Sequence, residues 1–173
     1  MARCKICKTA FHRRNIAHKA CSPECALALV EREKVKIERK HDAIRRIALK
    51  SRSQLVREAQ QAVNAYIRER DKDLPCISCG RWHEGQWHAG HYMSTGARPD
   101  LRFDEANIHK QCQPCNTHLS GNLIAYRTEL LRRIGENEVA RLEGPASNVK
   151  LTREELIALK DRYRKLLTAR MTG

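Results

Sequence analysis

Residues 76–122 concentrate the side chains that can do chemistry. Two Cys-x-x-Cys pairs, Cys76/Cys79 and Cys112/Cys115, bracket His88, His91, Asn107 and His109, and Asn116 follows the last cysteine directly. Each pair presents two thiolates from one tight turn, and two pairs complete the tetrahedron of a structural zinc. The histidines and asparagines exceed what such a zinc requires, which predicts a second, catalytic metal centre on a zinc-held frame. Phosphodiester cleavage needs a base to activate water, a cation for the phosphate and leaving oxygen, and a group that fixes the base's tautomer. His91 is the candidate base, Asn116 the candidate cation ligand and Asn107 the candidate orienting amide.

The elements that must position these groups are a hairpin and a helix. The span between the two cysteine pairs has room for two strands, with Cys112 to Cys115 at the start of the next helix. That ββα arrangement, pinned at one end by zinc, puts His91 on the first strand and Asn107 in the returning strand or turn. Asn116 then lies on the first helical turn. His109 shares a strand face with Asn107, so it either reaches phosphate or metal or serves as a supporting or surface residue. His118 projects about 200° away from Asn116 around a helix, so the two cannot face one ion. His83 sits in an exposed turn, and Trp82 and Trp87 are expected as hairpin packing. Arg98, Arg102, Lys110 and Arg127 flank the site as candidate DNA-phosphate contacts.

The rest of the chain divides into a knuckle, a linker and flanking helices. Residues 1–25 carry Cys4, Cys7, Cys21 and Cys25, a second four-cysteine set too small to bury a core, so zinc must fold it. Lys5, Lys8, Arg13, Arg14 and Lys19 give that knuckle a basic surface. Residues 26–52 lack Gly and Pro and predict a solvated basic helix. In it Val30, Ile37 and Ile44 recur every seven residues beside charged Glu33 and Lys40, half of a coiled-coil seam. Residues 53–70 place Leu55, Val56, Ala59, Val63, Tyr66 and Ile67 on one face, with Ser51 or Ser53 as cap and Pro75 as stop. Helices are predicted over 123–134, ending at Gly135, over 136–143, and from Thr152, where Glu155 completes a capping box. The last carries a stripe of Leu156, Leu159, Tyr163, Leu166 and Leu167. Segments 1–25, 26–52, 53–135 and 136–173 are thus knuckle, linker, core and C-terminal helical segment.

Composition narrows the partners. The 173 residues carry 34 Lys plus Arg against 20 Asp plus Glu, a net charge of +14. A surface so basic predicts a polyanionic partner, nucleic acid by default. Aromatics are only 5%, which argues against a base-stacking platform and for backbone and shape recognition. No apolar run is long enough for a membrane span, and the start lacks the apolar core of a secretory signal. A cytoplasmic, reducing compartment follows as the expectation, in which eight cysteines in four tight pairs are metal ligands, not disulfides.

The pattern Gly-His, then Asn five residues before Cys-x-x-Cys-Asn, resembles the HNH (ββα-metal) endonucleases that carry a four-cysteine zinc. The strings QAVNAYIRERDKDLPCISCG, AGHY, LRF, NIHKQC, CN, SGN and RIG are similar to the NinG, or Rap, recombination proteins of lambdoid phages. The likeness covers most of the chain and is tightest from Ser53 to Gly135. It implies an α+β, mostly helical fold: a zinc-pinned ββα-metal (HNH, treble-clef-like) core with flanking helices and an N-terminal zinc knuckle. It implies a structure-selective DNA endonuclease acting on Holliday junctions and D-loops in a bacterial host cell, beside other phage recombination proteins. By that resemblance His91 matches the general base, Asn116 the helix-borne metal ligand and Asn107 the central asparagine, with Cys76, Cys79, Cys112 and Cys115 as zinc ligands. The related phage junction-resolving endonucleases share the zinc scaffold and the Cys-Asn pair.

One position departs from the pattern. Many HNH enzymes hold Asp or His just before the base, and here Gly90 stands there. His88, two residues back on the same strand face, is the expected replacement, with Asp104 or another acid as the alternative. A histidine ligand tilts the catalytic ion toward Mn2+ without excluding Mg2+. The two structural zinc ions are separate from it. Two functions therefore stand: a metal-dependent endonuclease for branched double-stranded DNA, and a non-catalytic zinc-dependent DNA-binding accessory protein. A two-fold junction favours a homodimer, with 53–70 or the half-seam at 30–44 as its interface.

Overall fold

The computed structural model describes residues 1–172 and divides into two compact units, Met1–Lys50 and Ser51–Gly173. The four segments read from the sequence group into these two, so the C-terminal helices belong to the same body as the cysteine-pinned core.

In the first unit, strands β1 (Ala2–Arg3) and β2 (Ala10–Phe11) pair antiparallel around the turn that holds Cys4 and Cys7. Lys8 closes that turn with a left-handed φ of 67° and donates its backbone N–H to the Cys4 carbonyl. Helix α1 runs Pro23–Ala48, starting earlier than the apolar pattern suggests. Ser22 caps it through the Cys25 amide and Pro23 occupies the first turn, where a missing N–H costs nothing. Cys21 and Cys25 thereby straddle the helix start. No residue of α1 is buried in its own unit.

The second unit begins with α2 (Arg52–Arg70), opened by a capping box between Ser51 and Gln54. Its buried residues are Leu55, Ala59, Ala62, Val63 and Ile67; Val56 and Tyr66 are half-buried. Helix α5 (Arg153–Thr172) starts at the Thr152–Glu155 capping box and runs parallel to α2. The parallel sense follows from the contacts: Leu156 packs on Leu55 and Ala59, and Tyr163 on Ala62, Val63 and Ile67. Lys160, within the apolar stripe, is buried and neutralised by Glu58 at 3.4 Å.

Strands β3 (Trp87–His91) and β4 (Ile108–Cys112) form the predicted antiparallel hairpin, with His88 opposite Gln111 and Gly90 opposite His109. One face takes Ala89 and Ile108 against α2 and α5. On the other, Tyr126 of α3 (Leu123–Ile134) donates its hydroxyl to the Gly90 carbonyl. After α3, Gly135 separates α4 (Glu136–Glu143), and Ile77, Tyr92, Leu101, Tyr126, Leu130, Val139 and Leu142 make the second core. The helix expected to run on from Cys115 is interrupted. Pro114–His118 form one wide π-type turn, and Ser120, Gly121 and Asn122 all take left-handed φ before α3 begins. That break turns the Gly121 carbonyl inward to accept from Ser78 Oγ and Gln111 Nε2. No described helix is long and apolar enough to cross a membrane.

Candidate metal centres and the cleft beside them

The sulfurs of Cys76, Cys79, Cys112 and Cys115 all lie within 4.8 Å of one another, as do those of Cys4, Cys7, Cys21 and Cys25. A tetrahedral zinc with ~2.3 Å bonds sets its sulfurs about 3.8 Å apart. The separations of 3.4 Å (Cys7–Cys21), 3.8 Å (Cys21–Cys25) and 4.0 Å (Cys79–Cys112) fit that ion in both clusters. The core cluster is the more enclosed: Cys76 and Cys112 are fully buried and Cys115 nearly so. Its thiolates gather outer partners, the Cys112 amide on Cys76 Sγ, His83 Nε2 on Cys79 and Asn122 Nδ2 on Cys115. Trp87 packs on the cluster, as a hairpin packing residue should.

The hairpin brings His88 and Asn116 together, with Asn116 Nδ2 2.8 Å from His88 Nδ1. Both line an open cleft of about 410 Å3 with Asn64, Arg68, Gln86, Trp87 and Ala89. Since residues from both faces of β3 contribute, the cleft opens along the strand edge not paired to β4. Turning the Asn116 amide by 180° presents Oδ1, so an oxygen and an imidazole nitrogen face one point. That donor pair fits a divalent ion such as Mn2+ or Mg2+. Asn64 and Arg68, one turn apart on α2, were not singled out from the sequence. Their only signal is adjacency on the helix face beside the apolar stripe.

Gly90 is glycine because the space beside it is taken. A Cβ there would lie 2.1 Å from Gln111 Oε1 and 3.0 Å from Gln111 Cβ. Gln111 is fully buried and its Nε2 bonds Ser78 Oγ and the Gly121 carbonyl, both at 2.6 Å. A carboxylate at 90 is therefore excluded sterically. Gly90→Asp is expected to lower unfolding stability by about 3 kcal/mol, an overpacking cost plus broken buried hydrogen bonds. Chemical denaturation of the zinc-loaded protein measures it.

His91 is half-buried, opposite in strand parity to His88 and just past the Ala89 end of the cleft. Its Nε2 lies 3.0 Å from the Arg102 carbonyl oxygen. A carbonyl only accepts, so Nε2 carries the proton and Nδ1 is the free basic nitrogen. Burial lowers the His91 pKa, against the raising effect of that hydrogen bond. Asn107 does not touch His91, contrary to expectation. Fully buried, it accepts from the Met93 amide and donates to the Met93 and Leu101 carbonyls. It fastens the loop whose next carbonyl, that of Arg102, receives His91, and so positions the His91 ring at one remove.

Two of the four expected phosphate contacts are corrected. Arg98 is buried, forked onto Asp100 and donating to the Leu142, Gly144 and Pro145 carbonyls, so it ties the 94–101 loop to the end of α4. Lys110 is buried, with Nζ over the rings of Trp82 (4.6 Å) and Trp87 (4.3 Å) and bonded to the Lys72 carbonyl. Both side chains are spent on protein partners out of solvent. Arg127 is exposed but paired with Glu143, and Arg102 is half-buried with a bond to the Thr95 carbonyl. His118 is exposed.

His109 takes the supporting role among its two readings. It is buried with Nδ1 3.4 Å from the Tyr126 hydroxyl. Burial first, then the charge of Arg70, push its pKa down to about 4. Arg133 also lowers it, while Asp71 and Glu129 partly oppose the shift. The folded state thus holds neutral His109, and the unfolded chain protonates first. Stability attributable to this residue is intact above about pH 6.5 and falls toward pH 4. At pH 5 the loss is about 2 kcal/mol. Subtracting the pH profile of His109→Gln isolates it from zinc release; equal profiles would refute it.

The family model described as Bacteriophage Lambda NinG protein matches residues 1–171. The chain belongs to the NinG family. Protein ninG of Escherichia phage 933W is 48% identical over 183 residues, covering 95% of this chain and 91% of that protein. Protein ninG of Enterobacteria phage H19B is 48% identical over 176 residues, covering 91% and 88%. Protein ninG of Escherichia phage lambda is 46% identical over 185 residues, covering 95% and 91%. No solved structure matches the chain significantly. The NinG likeness extends over both cysteine clusters as well as the hairpin and its cleft.

Proposed function

We propose that this NinG protein is a metal-dependent endonuclease for branched DNA, with an HNH-type ββα-metal core. The observation that carries the reading is the meeting of His88 and Asn116 at 2.8 Å beside an open strand edge, with His91 Nδ1 left free. A cation bound by His88 and Asn116 would supply charge stabilisation on the phosphate and the leaving 3′-oxygen. His91 Nδ1 accepts a proton as a water oxygen bonds to phosphorus and the bond to the 3′-oxygen breaks. That oxygen takes a proton from solvent, leaving a 3′-hydroxyl and a 5′-phosphate. Arg68 and Asn64 line the same cleft and would hold the DNA backbone. The net charge of +14 supports a DNA partner, and junction preference comes from the family resemblance. The second reading, a DNA-binding accessory protein without catalysis, shares the charge and the zinc clusters but gives the His88–Asn116 pair no role.

Incubating zinc-loaded protein with an end-labelled four-way junction and Mg2+ or Mn2+ separates the two. The nuclease reading expects paired nicks near the branch that require the added metal. Tight junction binding with intact strands in every metal would leave the accessory role alone.

A further inference from the structure

One feature of the first unit has no partner within that unit. Leu27, Val30, Ile37 and Ile44 of α1 are exposed by 72%, 54%, 54% and 67%. With Lys34 and His41 they recur three and four residues apart, one stripe along the helix. Apolar residues aligned this way and left in water mark an interface. The charges beside the stripe select its occupant.

We infer that α1 pairs antiparallel with α1 of a second copy of this chain. In a parallel pair Glu33 would face Glu38, Lys40 would face Arg45, and Lys34 would stack on Lys34, all repulsive. Antiparallel, with Leu27 on Ile44, Val30 on His41 and Lys34 on Ile37, the flanks become complementary. Glu33 then meets Lys40 and Glu24 meets Arg45, each twice by symmetry, while Ala26 covers Ile47. Glu31 against Glu38, also twice by symmetry, is the unfavourable flanking pair. The charged residues that interrupt a simple heptad seam thus set the direction of pairing at some cost in strength. Within its own helix Glu33 has only a 3.9 Å contact to Lys36, both largely exposed, which holds it weakly. This inference rests on α1 alone and stands independently of the nuclease reading.

Sedimentation equilibrium of the zinc-loaded, DNA-free full chain tests it. The wild type is expected to dimerise and Ile37→Lys to sediment as monomer, with equal helix content by circular dichroism. Glu33→Lys is expected to raise the dimer dissociation constant about tenfold, Lys40→Glu likewise, and the double exchange to return it near the wild-type value. A parallel pair would instead be tightened by Glu33→Lys alone. A monomeric wild type, a dimer indifferent to Ile37→Lys, or single exchanges that tighten it would each overturn the antiparallel pairing.

Discussion

Replacing His91 with alanine is expected to slow junction cleavage by about 10³-fold while leaving junction affinity within about twofold. The separation follows from where the residue sits. His91 Nε2 is committed to the Arg102 carbonyl, so the side chain offers one nitrogen to chemistry and none to stabilising charge on DNA. On the proposed mechanism, removing it takes away the proton acceptor and leaves Arg68, Asn64 and the basic surface in place. The acid limb of the wild-type kcat/KM profile carries a second expectation. Burial lowers the His91 pKa from 6.5, and a nearby divalent cation would lower it further, so His91 is neutral at pH 7, as the proposed base must be. The limb should lie below pH 6.5 and be absent from the residual rate of His91→Ala. Gel-shift affinities beside single-turnover rates across pH check both. Equal rates for the two proteins would remove His91 from the chemistry.

Cys112→Ser is expected to unfold the second unit, the largest stability effect in the molecule. Cys112 is fully buried, ends β4, and donates its amide to Cys76 Sγ. A structural zinc contributes on the order of 10 kcal/mol, comparable to the whole stability of an ordinary domain. The cores beside the cluster do not compensate, because β3 and β4 make only a two-stranded sheet, a form marginal by itself. Zinc content should fall by one ion per chain and the cooperative melt of 51–173 should vanish. Cys7→Ser should also cost one zinc, yet leave that melt in place, since Cys7 belongs to the other unit. Retention of the main transition in Cys112→Ser would mean that helix packing alone holds the core.

Much of this was legible where local chemistry is decisive. Gly135 and the Thr152–Glu155 box fixed the bounds of α3, α4 and α5 because stops and caps act within a few residues. The two cysteine clusters were legible for the same reason: thiolate spacing is local to each pair. Buried charge was not. Arg98 and Lys110 look like surface cations in sequence, and only the fold supplies the carbonyls, carboxylate and indole rings that make burial tolerable. Lys160 sits within a leucine stripe for a similar reason, its partner Glu58 being distant in sequence. The contribution of Asn64 and Arg68 to the cleft was equally hidden, because it depends on α2 crossing β3. Gly90, which read as a missing ligand, is explained by Gln111 filling its space from the opposite strand.

On the proposed reading His88 and Asn116 form a metal centre separate from the two four-cysteine clusters. Titrating zinc-loaded protein with Mn2+, and reading free Mn2+ by electron paramagnetic resonance, tests it most directly. One Mn2+ is expected to bind per wild-type chain, with both zinc ions retained. That ion should be lost in His88→Ala and in Asn116→Ala, with unfolding curves that keep a single cooperative transition. Mn2+ uptake unchanged in both variants, or absent from the wild type, would contradict it.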